Sequence, residues 1–336
     1  MKFNEYLYLA GAKRTQYFLF IFLSAAFLIN IVNIGNLRNA NALNFKVGRS
    51  PYGLAISRAN NIYVAIGGFL NVVELNEKGR VVNNFETDWA PSGIAINKKS
   101  NIYVSTGIGY VVKLNKNGQF IKKVKIGIVP AGIAIGPGGN IYVTSIHSKT
   151  VTKLNPSLKI LKVFYAGIAP YGIVIGKNGN IYVANFMNKG TVTVLNRSGK
   201  IIKVFKAQRK PEGMAISPAG NIYVTNGLSN SVLKFDKNGK VLKKFYVSGA
   251  PYSIALSTTG KIFVACIYAN KVVKLNRSGK ILNTYRTGMN PNFIAIDNKG
   301  NVWTANWGDG TVTKIAGATK GREFFPYKGP VWQESF

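Results

Sequence analysis

PEGMAISPAGNIYVTNGLSNSVLKFDKNGKVLKKFYVSGA, residues 211–250, is one copy of a sentence the chain repeats seven times. The copies open at Pro51, Pro91, Pro130, Pro170, Pro211, Pro251 and Pro291, at spacings of 40, 39, 40, 41, 40 and 40 residues. Within this copy, residues 213–216 form a compact apolar stretch behind Pro211, whose fixed φ suits a loop entering a strand. Residues 217–220 are turn formers. Residues 221–225 are β-branched and aromatic, as a strand packed on both faces requires. After a loop at 226–230, residues 231–235 alternate in and out. Asn238-Gly239 supplies the positive φ of a hairpin, and residues 241–247 make an outer strand carrying Lys243 and Lys244. No 3.6-residue apolar period appears, so the reading is all-β. Four short strands at a 40-residue period make a propeller blade, because one such sheet buries its two faces only against neighbours. The expectation is a seven-bladed β-propeller over residues 43–315, with an irregular tail at 316–336.

A ring of blades must also be closed. Residues 43–50 resemble the outer strands of other copies, and the competing segment is 322–325 in the tail. The N-terminal segment is the preferred closing strand, since it removes the open sheet edge.

Residues 1–42 stand apart from the repeat. Lys2, Lys13 and Arg14 precede an apolar run at 18–29, and Ala40-Asn41-Ala42 follows. This order reads as a secretory signal peptide cleaved before Leu43. The competing reading is a retained anchor through residues 17–34, weakened as a span by Asn30 and Asn33. Either reading exports the propeller, as a secreted, periplasmic or cell-surface protein. The single cysteine, Cys266, excludes an intrachain disulfide.

The net charge is +33, from 44 Lys and Arg against 11 Asp and Glu. Residues 1–42 hold four basic residues and one acidic, so the remainder carries 40 cations against ten acids, or +30. Charged residues are only 16 % of the chain, below the usual ~25 %. Missing acids, rather than added lysines, make the imbalance. That argues against nucleic acid, for which no recognition motif is present either. Two accounts stay open: an acidic setting, where few carboxylates leave little stability to lose on protonation, or an anionic partner such as an envelope polymer.

Propeller topology sorts the loops. Hairpins joining strands 1–2 and 3–4 share one face, which receives Lys98, Lys99, Lys177, Arg197, Lys200, Lys237, Lys240, Arg277 and Lys280. This face is expected to be a basic ring. The remaining loops share the opposite face and are richer in aromatics. Its ligand-face candidates are Tyr52, Trp89, His147, Tyr171, Phe186, Glu212, Tyr252, Tyr268 and Trp307, a set suited to a small-molecule or protein platform.

The strings Ile222-Tyr223-Val224-Thr225-Asn226 and Pro170-Tyr171-Gly172-Ile173 resemble YVTN and NHL-type propeller repeats. The seven-copy layout, with its Lys-Leu-Asn-x-Ser-Gly-Lys turns, resembles the streptogramin lyase (virginiamycin B lyase) family. The resemblance implies magnesium-assisted opening of a cyclic depsipeptide, with histidine and glutamate near the central opening. This chain has one histidine, His147, and Glu212 stands beside Arg209 and Lys210. The slot after the second strand, where NHL-type repeats often carry Asp, never holds an acid here. No metal pair, phosphate loop or nucleophile elbow is present. No metal or cofactor is therefore expected, and no catalytic residue is assigned. The expectation is an exported, non-catalytic binding or scaffold module at the cell envelope. The alternative is a lyase-like or lactonase-like enzyme, favoured if His147 and Glu212 converge on the opening.

Overall fold

The computed structural model of the protein describes residues 42–87 and 90–319. The expected signal peptide or anchor, Trp89 and the tail from 320 onward lie outside these residues. The described residues form seven four-stranded antiparallel sheets. Six are simple meanders, such as Pro211–Ile216, Ile222–Asn226, Ser231–Phe235 and Val241–Tyr246. The seventh is closed from the N-terminus. Ala42–Lys46 pairs antiparallel with Thr311–Ile315, setting Phe45 opposite Val312, in the place that the outer-strand match of residues 43–50 assigns to it.

Each inner strand begins two residues earlier than its apolar stretch suggests, at the proline itself. Pro211 pairs with Asn226, and the register then shifts before Met214 pairs with Val224. Proline is tolerated as the first residue of a strand because the ladder loses no donor there. The shift is a bulge, in which Glu212 and Gly213 together oppose Thr225. Thr225 fills the gap: its Oγ1 accepts from Gly213 N at 2.8 Å and donates to the Tyr252 carbonyl of the next blade at 2.7 Å. Thr144 does the same for Gly132 and Tyr171. The residue after each proline is thereby re-aimed towards the axis.

The cores lie between blades. Val174, Tyr182 and Val192 of the fourth blade pack with Met214, Ile222 and Val224 of the fifth. Trp303 of the seventh blade packs with Ile62, Val64 and Leu75 of the first. Turn chemistry joins in: Gly239, at φ 77°, stands where a Cβ would lie 2.5 Å from the Phe205 ring of the preceding blade. The side chains of Asn196 and Asn276 are engaged in their own turns, each Oδ1 accepting the backbone N–H groups two and four residues on. Cys266 is buried, which pushes its thiol up to about 12.

Candidate functional site

The seven residues that follow the prolines surround the axis: Tyr52, Ser92, Ala131, Tyr171, Glu212, Tyr252 and Asn292. Their backbones approach one another closely. A Cβ at Gly93, one residue further on, would lie 2.7 Å from the Ala131 carbonyl oxygen, so five inner strands carry glycine there. Ser253 and Phe293 replace it in the sixth and seventh. Phe293 packs against both the first–seventh and the third–fourth blade cores, so its side chain crosses the channel.

Backbone strain frames this opening. The residue before each proline has a positive φ: Ser50, Ala90, Val129, Ala169, Lys210, Ala250 and Asn290. Such a conformation costs a non-glycine residue about 1 kcal/mol or more. It places each carbonyl to accept from the N–H that follows the second strand, as in Gly227 N to Lys210 O at 2.9 Å and Phe186 N to Ala169 O at 2.8 Å. The two loops of each blade at this end are thus tied together.

Three tyrosines close the axis. Tyr52 Oη lies 2.7 Å from Tyr171 Oη and 3.2 Å from Tyr252 Oη, and the Tyr171 and Tyr252 hydroxyls also bond each other. Each phenol can donate once and accept once, which satisfies a three-membered ring. Desolvation raises the Tyr171 and Tyr252 hydroxyls well above the ordinary phenol value. The remaining cavity is about 30 Å³, room for roughly two waters. A ligand of any size therefore sits on this opening rather than in it. Phe186 flanks the ring, its centroid 5.4 Å from that of Tyr171, with Lys210 Nζ 5.1 Å above its own face.

Among the described residues Glu212 is the one carboxyl at the axis. It is 6 % exposed, and its Oε2 has no hydrogen-bond partner. Burial raises its pKa well above the carboxylate range, only partly opposed by the Lys210 ammonium. Ser253 Oγ and Asn292 Oδ1, which line the same cavity, are likewise buried without partners. The other two buried acids among the described residues are treated differently. Glu74 accepts from Asn61, Tyr63 and Asn83, and Asp297 accepts from four donors.

Of the nine ligand-face candidates, Tyr52, Tyr171, Glu212 and Tyr252 meet at the opening, as strand residues rather than loop residues, and Phe186 adjoins them. Tyr268 is exposed on the turn after the second strand of the sixth blade, and Trp307 is half-buried after that of the seventh. His147 is exposed on the loop following Ile141–Ser145 and is not among the residues that line the opening with Glu212. Ser92, Ala131 and Asn292 occupy the same slot as the tyrosines, and their small neutral side chains give no sign of it in the sequence. The nine basic candidates are all exposed, and their hairpins leave the other end of the blades.

A hard divalent cation wants several oxygen ligands with carboxylates prominent. Among the described residues the opening offers one carboxyl, which burial disfavours in its charged form, among phenols, an amide and a serine. Among the described residues no three His, Cys, Asp or Glu side chains gather. This donor set does not fit Mg²⁺.

The molecule is a seven-bladed propeller whose inner-strand entries build one axial, tyrosine-capped opening. Solved structures share that fold: a streptogramin B lyase (18 % identity over 81 % of this chain and 96 % of the other, TM-score 0.74) and the virginiamycin B lyase of Staphylococcus aureus (17 %, 81 % and 98 %, 0.73). The hydrazine synthase of Kuenenia stuttgartiensis is as similar (16 %, 81 % and 96 %, 0.74), so this likeness is one of fold. No curated protein sequence matches the chain. The model of the virginiamycin B lyase family matches residues 84–327, more than half of the chain, and the protein belongs to that family.

Proposed function

We propose that this protein is a binding propeller of the lyase family, exported to the cell envelope, whose axial opening holds a ligand without opening its ring. The observation that carries the reading is the make-up of the opening: one unpartnered carboxyl, Glu212, and no histidine, beside three mutually bonded tyrosine hydroxyls. Ring opening by elimination or hydrolysis needs a group that takes a proton at the working pH. Burial drives Glu212, Tyr171 and Tyr252 in the direction that keeps each one protonated, and His147 stands elsewhere. What the opening supplies instead is the unpartnered polar groups of Glu212, Ser253 and Asn292 beside aromatic rings, suited to a small neutral polar molecule. The export setting rests on the signal-peptide or anchor reading of residues 1–42, and N-terminal sequencing near Leu43 tests it.

A second reading, an active ring-opening enzyme, is favoured by the family match and by the presence of a carboxyl at the axis. Incubation of the full chain with cyclic depsipeptides and lactones, with and without Mg²⁺, separates the two. Binding without linearised product by mass spectrometry is expected. Turnover that disappears in Glu212→Gln would establish the enzyme.

A further inference from the structure

The outer strands carry a pattern that the axial opening does not use. In six blades the outer strand begins with two apolar residues, at positions 81–82, 120–121, 160–161, 201–202, 241–242 and 281–282. All twelve are exposed, from 39 % at Ile201 to 58 % at Phe120. Cations flank them. Arg80, Lys159, Lys200, Lys240 and Lys280 precede five of the pairs, and Lys122, Lys162, Lys203 and Lys243 follow four. Each of these cations is exposed.

Topology fixes where the pairs stand. They follow directly on the hairpins between third and outer strands, which leave the blades at the same end as the hairpins between inner and second strands. That end is the basic face. Successive strand residues point to opposite sides of a sheet, so each pair spreads apolar surface to both sides of its blade at the rim of this face. Lysine on an edge strand guards against edge-to-edge pairing, which accounts for the cations. It does not account for Val, Ile, Leu or Phe beside them, since exposed apolar residues on an edge are what such a guard normally replaces. Scattered apolar residues also stand on the opposite face, such as Ile128 and Ile168, but without flanking cations.

Apolar side chains interleaved with exposed cations are the composition of a surface that rests on an anionic bilayer, where burial in the headgroup layer and attraction to acidic lipids add. We infer that the basic face, through its rim of cation-flanked apolar pairs, docks flat on a membrane rich in anionic lipid. The inference is independent of what the axial opening binds, and it leaves that opening turned away from the bilayer.

The test uses the full chain with vesicles of phosphatidylglycerol and of phosphatidylcholine. Hydrogen exchange should slow in the outer strands on phosphatidylglycerol only. Replacing the pairs of two adjacent blades (Ile201→Ser, Ile202→Ser, Val241→Ser, Leu242→Ser) should lower co-sedimentation with these vesicles about tenfold, with the melting temperature held. The control Ile128→Ser, Ile168→Ser should bind as wild type. Equal loss in the control, or unaltered exchange in the outer strands, would overturn the proposal by placing the contact elsewhere. So would unchanged binding of the rim variant together with tight binding to dextran sulfate, which would assign the face to an acidic polymer.

Discussion

Two buried carboxyls sit at opposite ends of inner strands and live in opposite environments. Asp297, just past Pro291–Ile296, accepts from the backbone N–H groups of Lys299 and Asn301, from Asn301 Nδ2 and from Trp303 Nε1, at 2.7 to 2.9 Å. Glu212, at the start of Pro211–Ile216, leaves Oε2 without a donor. A fold that can surround a carboxylate with four donors has not done so at its axis. The difference separates a charge used to build the blade from a group held ready for something else, since an unpartnered buried carboxyl is costly to keep.

The comparison breaks hardest at Asp297. Asp297→Ala strands the indole N–H of Trp303 and the hairpin amides inside the seventh blade, and should cost about 3 kcal/mol of stability, read by denaturant unfolding. Glu212→Gln should act in the other direction and depend on pH. A carboxyl whose folded pKa is raised gives stability that is complete below its unfolded value and is lost as pH rises towards the folded value. Wild type should therefore match Glu212→Gln below about pH 4.5 and fall behind it above, by at most about 1.4 kcal/mol per pH unit. Melting curves of both proteins from about pH 3 to about pH 8 check this, and the acid limb also tests whether ten acids leave the propeller stable where ordinary domains fail. Parallel curves would mean that Glu212 titrates in the fold as it does in the unfolded chain.

Tyr171→Phe removes one hydroxyl from the axial ring and should cost about 1 kcal/mol, with a matching loss of any ligand held by the opening. The smallest effect belongs to His147→Ala. An exposed loop residue apart from the opening should change stability by less than about 0.5 kcal/mol and leave ligand binding, by calorimetry, untouched.

The repeat made the architecture legible because each blade is a local hairpin series, and turn residues such as Asn238-Gly239 mark its register. The axial slot was legible in part. Tyr52, Tyr171 and Tyr252 announce themselves, but Ser92, Ala131 and Asn292 share their position only once the bulge after each proline is known. Nothing local in the sequence shows that Glu212 loses its solvent, because its burial comes from neighbouring blades and from the loop at Gly227. Nor does composition predict seven positive-φ residues before proline, among them β-branched Val129, since that conformation is imposed by the carbonyl bond each one makes. The exposed pairs of the outer strands were visible as strand residues, and only the structure shows that they have no cover.

The closing strand sets an order of events. In six blades every strand partner lies within one repeat, so each sheet can form from local contacts. In the seventh, the Thr313 hydroxyl meets Asn44 at 2.7 Å across 269 positions. Bringing together ends so far apart costs about 2 kcal/mol more in chain entropy than closing a single repeat, at about 0.6 kcal/mol per doubling of length. The seventh sheet is therefore complete only when Ala42–Lys46 has met Thr311–Ile315. Until they meet, Thr311–Ile315 offers a bare row of amides and carbonyls to any passing strand, and the interval before this clasp shuts is when the chain is most open to pairing with the wrong partner.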